Sequence, residues 1–338
     1  MTRIVTAVFI ITSLLVSAIG PAGARAEIPM ISFSVISDIH VQWWHKTSHR
    51  KFANALRDLH EINPHADALV INGDLTNGLP ADYAKLKEIW QNNPHPNHAF
   101  FTIGNHEYYR AWVDESGAWN PAKFPNGETQ LASINRFLAF SGEKQVYYEK
   151  VVKGYHFLFL GSEEYRQTRP ENLEDAYLSA EQLRWLQAAL AKSAQSGKPI
   201  FLFLHQPLPN TVAGTSYCCG INRSVVQHEE LQKILSAYPQ VIYFSGHTHW
   251  SLKHPQTLLR HTFTMVNSSS VIQLWGDDNH GGEKTLPVEE SEGLYVEVFH
   301  DKVRIRGRDF YRKSWIKEAD FTVPMQDKNP AGSAAPAD

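Results

Sequence analysis

Residues 31–40 read ISFSVISDIH, a short apolar run rich in β-branched residues that stops at Asp38 and His40. The same figure returns along the chain. DALVINGD (67–74) closes on Gly73-Asp74, AFFTIGNHE (99–107) on Gly104-Asn105-His106-Glu107, IFLFLH (200–205) on His205, and VIYFSGHTH (241–249) on Gly246-His247-Thr248-His249. Each apolar run predicts a buried strand. In an α/β sheet, the loops beyond the carboxyl ends of the strands form the binding crevice. A single Asp at such an end is ordinarily a turn former, and a single His is ordinarily structural. Together the five ends present Asp38, Asp74, Asn105 and the five histidines His40, His106, His205, His247 and His249. Carboxylate, amide and imidazole suit Mn, Fe or Zn. A set of this size suits two ions rather than one, and paired ions are a standard apparatus for hydrolysing phosphate esters.

Between these runs the sequence alternates toward helices. Phe52, Leu56, Leu59 and Ile62 stand at helical spacing within 50–62, and 81–90, 131–140 and 225–235 read the same way. Ser179 with Gln182 forms a capping box ahead of Leu183, Leu186 and Leu190. Residues 146–152 and 155–160 flank Lys153-Gly154 as a hairpin. The end of the chain, 294–299 and 303–305, has antiparallel character. This βα alternation followed by β-rich pairing predicts one layered α/β domain with mixed sheets over 27–326. Two stretches, 108–127 and 276–292, read as excursions from the core.

The 338 residues are 43% hydrophobic, enough for a large core, and 20% charged with a formal net charge of -3. That balance argues against a nucleic-acid surface, which is normally basic. Residues 1–26 read as a secretory signal. Arg3 is followed by an uncharged run from Ile4 to Ile19, and Ala24-Arg25-Ala26 offers a small-x-small cleavage site. The run falls short of the ~20 residues that span a bilayer comfortably. The expectation is a secreted or periplasmic protein, cleaved after Ala26, with no membrane segment afterwards. The tail 327–338, rich in Pro, Ala and Gly, is expected to be disordered. Cys218 and Cys219 are the only cysteines and are adjacent. A vicinal disulfide, two free thiols or a bridge between chains all remain open, as does the oligomeric state.

The ordered motifs Asp38-x-His40, Gly73-Asp74, Gly104-Asn105-His106-Glu107, His205 and Gly246-His247-x-His249 resemble the calcineurin-like binuclear metallophosphoesterases, and the closing segment 303–310 (VRIRGRDF) is similar to the last strand of secreted bacterial members. The resemblance implies a four-layer α/β fold, two mixed β-sheets in a sandwich flanked by α-helices, with the metals at one edge. It implies that Asp38, His40 and His249 hold one ion, that Asn105, His205 and His247 hold the other, and that Asp74 bridges them. It also implies attack by a metal-bridging hydroxide at phosphorus, with Asp74 essential to catalysis and His106 protonating the leaving oxygen. Asn77 occupies a place where purple acid phosphatases carry a metal-binding tyrosine and protein phosphatases an aspartate paired with the catalytic histidine. Both of those types are thereby disfavoured. Asn77 remains able to accept a hydrogen bond from His106 without a charge, and Glu107 reads as structural.

The substrate is less legible. Asn105, His106, Tyr108 and Arg110 are the candidate substrate contacts, with Arg223 a further anion-binding candidate. Trp43, Trp44, Tyr108, Tyr109 and Trp250 crowd the motif loops and offer a stacking wall for a base or sugar. The Gly- and Pro-rich stretch 206–223 is placed to form a lid. The reading is a small-molecule phosphate ester hydrolase with a phosphodiester favoured. The alternatives are a phosphomonoesterase, a nuclease, or a catalytically silent metal-binding module.

Overall fold

The computed structural model describes residues 27–217 and 223–325. The expected signal segment, the tail from Asp327 and the Cys218-Cys219 pair lie outside the described residues.

Two six-stranded mixed sheets pack face to face. In the first, β1 (Ile31–Ile36), β2 (Ala68–Asn72) and β3 (Ala99–Thr102) run parallel. In the second, β4 (Tyr148–Val152) pairs antiparallel with β5 (Tyr155–Phe159), which continues in parallel to β6 (Ile200–Phe203) and β7 (Val241–Ser245). The edge of this sheet is β8 (Leu258–Arg260) against β9 (Thr264–Asn267). A separate ribbon joins β10 (Trp275–Asp277) to β11 (Glu283–Thr285). The first sheet is completed antiparallel by β12 (Glu292–Val298), β13 (Lys302–Asp309) and β14 (Ser314–Pro324).

Alternation along the strands builds the layers. Phe33, Val70, Phe201, Phe203 and Phe244 point into the sandwich, where Phe33 meets Phe157 and Phe201 edge-on at 4.9 and 4.8 Å. Their neighbours Ile36, Leu69, Ile71, Leu202, Leu204 and Tyr243 point outward into the helical layers. Those layers include α1 (Lys46–Ile62), α2 (Pro80–Gln91), α3 (Gln130–Ser141), α4 (Ala180–Ser193) and α5 (His228–Ser236). Buried on both faces, the central strands read as continuous apolar runs.

Three boundaries differ from the expectation. The first helix begins four residues before Arg50, at Lys46. Residues 225–227 stay outside α5, because Val225 is held in a bridge with Ala176. The strand 302–309 is not the last: β14 follows it as the sheet edge, half-exposed and carrying Lys317, Glu318 and Asp320, which hid its period-2 pattern. Among the described residues, no helix is long and apolar enough to cross a membrane.

Candidate metal centre

The carboxyl ends of β1, β2 and β3 meet those of β6 and β7 at one edge of the sandwich. Asn72, the buried last residue of β2, stitches the two sheets there. Its side-chain N–H groups donate to the carbonyls of Leu204 and Phe244 at 3.3 and 3.1 Å, and its Oδ1 accepts from the Thr102 hydroxyl. Its own carbonyl accepts from Ser37 Oγ and from His205 Nδ1. Asn72→Leu keeps the volume and deletes the side-chain bonds. At ~1–3 kcal/mol for a stranded buried partner, we expect a stability loss of about 2–4 kcal/mol, read as a lower denaturant midpoint at unchanged slope.

Asp38, His40, Asp74 and His249 form one group of converging donor atoms, and Asp74, His205 and His247 form a second. His249 Nε2 lies 2.8 Å from Asp38 Oδ1, His205 Nε2 lies 3.2 Å from Asp74 Oδ2, and His40 Nε2 lies 3.4 Å from His249 Nε2. Asp38 Oδ1, Asn105 Oδ1, His205 Nε2 and His247 Nε2 are buried without any hydrogen-bond partner. Four stranded polar atoms of ligand type at one spot are costly. Cations at two adjacent positions, with Asp74 common to both, satisfy the orphans together, so the residues present fit a binuclear centre.

The outer contacts aim the donors. His205 Nδ1–H donates to the Asn72 carbonyl at 2.8 Å and His249 Nδ1–H to that of Gln273 at 2.9 Å, which aims each Nε2 at the carboxylates of Asp74 and Asp38. The Asn105 amide nitrogen donates to Glu174 Oε2 at 2.9 Å, turning its oxygen inward. Glu107 is fully buried and clips two loops together, accepting from the backbone N–H of Asp74 and Thr76 beyond β2 and of Gly104 beyond β3.

The backbone is bent to the same end. Asp38, His40, Asp74, His247 and His249 all have positive φ, between 39° and 69°. Non-glycine residues there cost of order 1–3 kcal/mol each and persist only where the surroundings over-determine them. The glycines of the motifs permit the close approach: a Cβ on Gly104 would drive into the Asp74 carboxylate, and one on Gly246 into Ser37 Oγ and Asp38.

Charge follows the same logic. Burial works to neutralise Asp38, yet His249 and His205 hold its carboxyl well below the usual range. Asp74 is likewise held down against its burial by His205, His106 and His40. Burial would lower His205, but Asp74 and Asp38 push it up to about 10. Burial, aided by the neighbouring His205, drives His247 down to about 3. Two ionised carboxylates inside the protein therefore call for positive charge.

The family model of calcineurin-like phosphoesterases matches residues 31–251, from the first strand to just past the last motif. The chain belongs to that family. A dimetal phosphatase of Danio rerio is 16% identical, with 88% of this chain covering 100% of that one at a TM-score of 0.58. A purple acid phosphatase from yellow lupin, Lupinus luteus, is 14% identical, with 90% of this chain covering 57% of that one at a TM-score of 0.59. At these identities the likeness is one of fold. A metallophosphoesterase-named protein of Caenorhabditis elegans is 26% identical over 146 residues, which take in 40% of this chain and 29% of that relative's length. The family is dinuclear and metal-dependent, and this member carries residues able to hold two ions.

In this family member, a cavity of about 240 Å³ over the donors is lined by Asp74, Asn105, His106, Tyr109, Glu174, Arg223, His247, Thr248, His249, Trp275 and Glu283. His106 stands at its floor, one quarter exposed, with Nδ1 2.9 Å from Asn77 Oδ1 and Nε2 3.7 Å from Asp74 Oδ2. Two expected substrate contacts are elsewhere. Tyr108 is completely buried; its hydroxyl donates to the Ser162 carbonyl and its ring stacks on Tyr165, because the 3-10 turn 106–112 presents Tyr109 to the cavity instead. Arg110, on the far side of that turn, is not among the lining residues. Trp250, expected in the aromatic wall, is buried under Tyr217.

Sequence reasoning missed Glu174, Trp275 and Glu283. Glu174 sits in a loop with no motif around it, and its acid group is fixed by the Tyr165 hydroxyl and by Asn105. Only the fold brings it within reach.

Proposed function

We propose that the protein is a secreted phosphoesterase acting on a small phosphodiester. The observation that carries this reading is the set of stranded buried donors on Asp38, Asn105, His205 and His247 around the shared carboxylate of Asp74. Asp38, His40 and His249 would hold one ion, Asn105, His205 and His247 the other, with Asp74 between them. When bound, such ions supply Lewis acidity and activate water for attack at phosphorus. One P–O bond forms from water and the P–O bond to the alcohol breaks. His106, directed by Asn77, supplies a proton to the departing oxygen.

The cavity favours a diester. Beside the donors it offers one basic residue, Arg223, against two acidic ones, Glu174 and Glu283. A monoester dianion meets more repulsion there than a diester monoanion. Secretion rests on the residues 1–26 described above.

The test is a substrate panel on apo-protein reloaded with Mn, Zn or Fe: bis-p-nitrophenyl phosphate, p-nitrophenyl phosphate, cyclic nucleotides and glycerophosphodiesters. We expect diesters to be turned over faster than monoesters. No turnover of any ester with both metals bound would leave only the binding-module alternative standing.

A further inference from the structure

A second cavity adjoins the metal centre on the His106 side. It has a volume of about 340 Å³ and is lined by residues including Trp43, Trp44, Asn77, Asp82, Tyr109 and Trp119. Tyr109 lines both cavities and stacks on the His106 ring at 3.8 Å, while Asn77, which holds His106 Nδ1, lines the second. A group bound here is therefore next to the histidine that faces the departing oxygen.

The lining is unusual for an exposed surface. Trp43, Trp44 and Trp119 are 53%, 58% and 54% exposed, and they are the exposed tryptophans among the described residues. They come from separate segments, the loop after β1 and a small antiparallel turn closed by the Val113–Trp119 bridge, yet all line this one cleft. Trp119 and Tyr109 meet at 5.2 Å and 54°, making a corner of tilted rings rather than a flat slot. Asp82 lies beneath them, almost wholly buried. Its Oδ1 accepts the Trp43 N–H at 2.8 Å, and its Oδ2 has no hydrogen-bond partner. No lysine, arginine or histidine is among the described lining residues.

The tilted Trp119 and Tyr109 rings, two further exposed tryptophans and an incompletely paired carboxylate, with no basic residue, make a surface of negative potential that is also apolar. A planar neutral ring would be served by parallel faces and gains nothing from the carboxylate. A compact organic cation gains from both, because an ammonium over an indole is drawn to the negative ring face. We infer that this cleft is the leaving-group subsite and that it takes an alcohol bearing a quaternary ammonium, so that the substrate is a phosphodiester of a choline-like alcohol. This assignment rests on the phosphoesterase reading for its catalytic meaning. The binding itself does not depend on turnover.

The experiment is calorimetric and tryptophan-fluorescence titration of the purified protein with choline, its neutral carbon isostere 3,3-dimethylbutan-1-ol, and adenosine. Choline should bind at least about tenfold more tightly than the isostere, the difference being the cation–ring and carboxylate attraction. Trp119→Ala, at an exposed position, and Asp82→Asn, which keeps the acceptor for Trp43, should each erase most of that preference. Equal binding of the isostere, tighter binding of adenosine, or no saturable choline binding overturns the assignment. Turnover of diesters without the choline preference defeats the cleft assignment alone. A choline preference without any turnover on metal-loaded protein defeats the phosphoesterase reading and leaves the cation site in place.

Discussion

Asp74→Ala is expected to release both metals together and to lower diester turnover by at least about 10³-fold. Asp74 is the one residue common to the two converging groups of donors, and it is buried at the junction of the sheets. Losing Asp38 strips one position; losing Asp74 strips a ligand from each. Changes behind a ligand already cost about 10–100-fold in metal affinity, so a shared ligand should cost more at both positions. If several kcal/mol of Lewis-acid stabilisation go with the ions, then at 1.36 kcal/mol per decade about three decades of rate go too. Asp74→Asn sharpens the result. Its amide oxygen still accepts the His106 N–H that Asp74 Oδ1 now accepts at 2.9 Å, so the 3-10 turn stays seated. Only charge and the second donor oxygen are lost. Metal analysis by mass spectrometry, set beside kcat, checks both variants. A variant that keeps two ions per chain rules out the bridging role.

The strand ends were readable because the parallel strands are buried on both faces and so appear as unbroken apolar runs, each stopped by polar residues. The glycines beside Asp74, Asn105 and His247 were readable for a related reason: close packing of loop on ligand leaves no room for a Cβ. What the sequence hides is whatever depends on the path of the chain between motifs. Asn72 looks like the tail of an apolar strand, and only the apposition of β2 with β6 and β7 makes it the stitch between sheets. Glu174 meets Asn105 across 69 positions of sequence. Tyr108 and Tyr109 are adjacent, and nothing in their order shows which one a 3-10 turn will bury; the structure turns Tyr109 to the cavity. Charged residues on an edge strand masked β14, because half its side chains face water.

His106→Ala is expected to keep both metals and lose about 10²–10⁴-fold in kcat, the range typical of a positioned proton donor. The separation from Asp74 is geometric. His106 belongs to neither donor group, and it is more exposed to the cavity than His205 or His40. Its neighbours also define its state. Burial holds the imidazole well below its usual range, more strongly than Asp74 raises it, so the ring is neutral near pH 7 and carries one proton. Where that proton sits is decided at Nδ1, which faces Asn77 at 2.9 Å. A carboxylate in place of Asn77 would lock the proton there and stabilise an imidazolium. Asn77 Oδ1 accepts that Nδ1–H without adding a charge, which holds Nε2, the nitrogen on the side of Asp74 and the departing oxygen, as the site that takes up and delivers the catalytic proton. Proton delivery matters most when the leaving alkoxide is basic. The deficit of His106→Ala should therefore be large for glycerophosphodiesters and small for bis-p-nitrophenyl phosphate, whose leaving group needs little proton assistance. An equal loss on both substrates, or a loss of bound metal, would instead make His106 a support for the centre and not its acid.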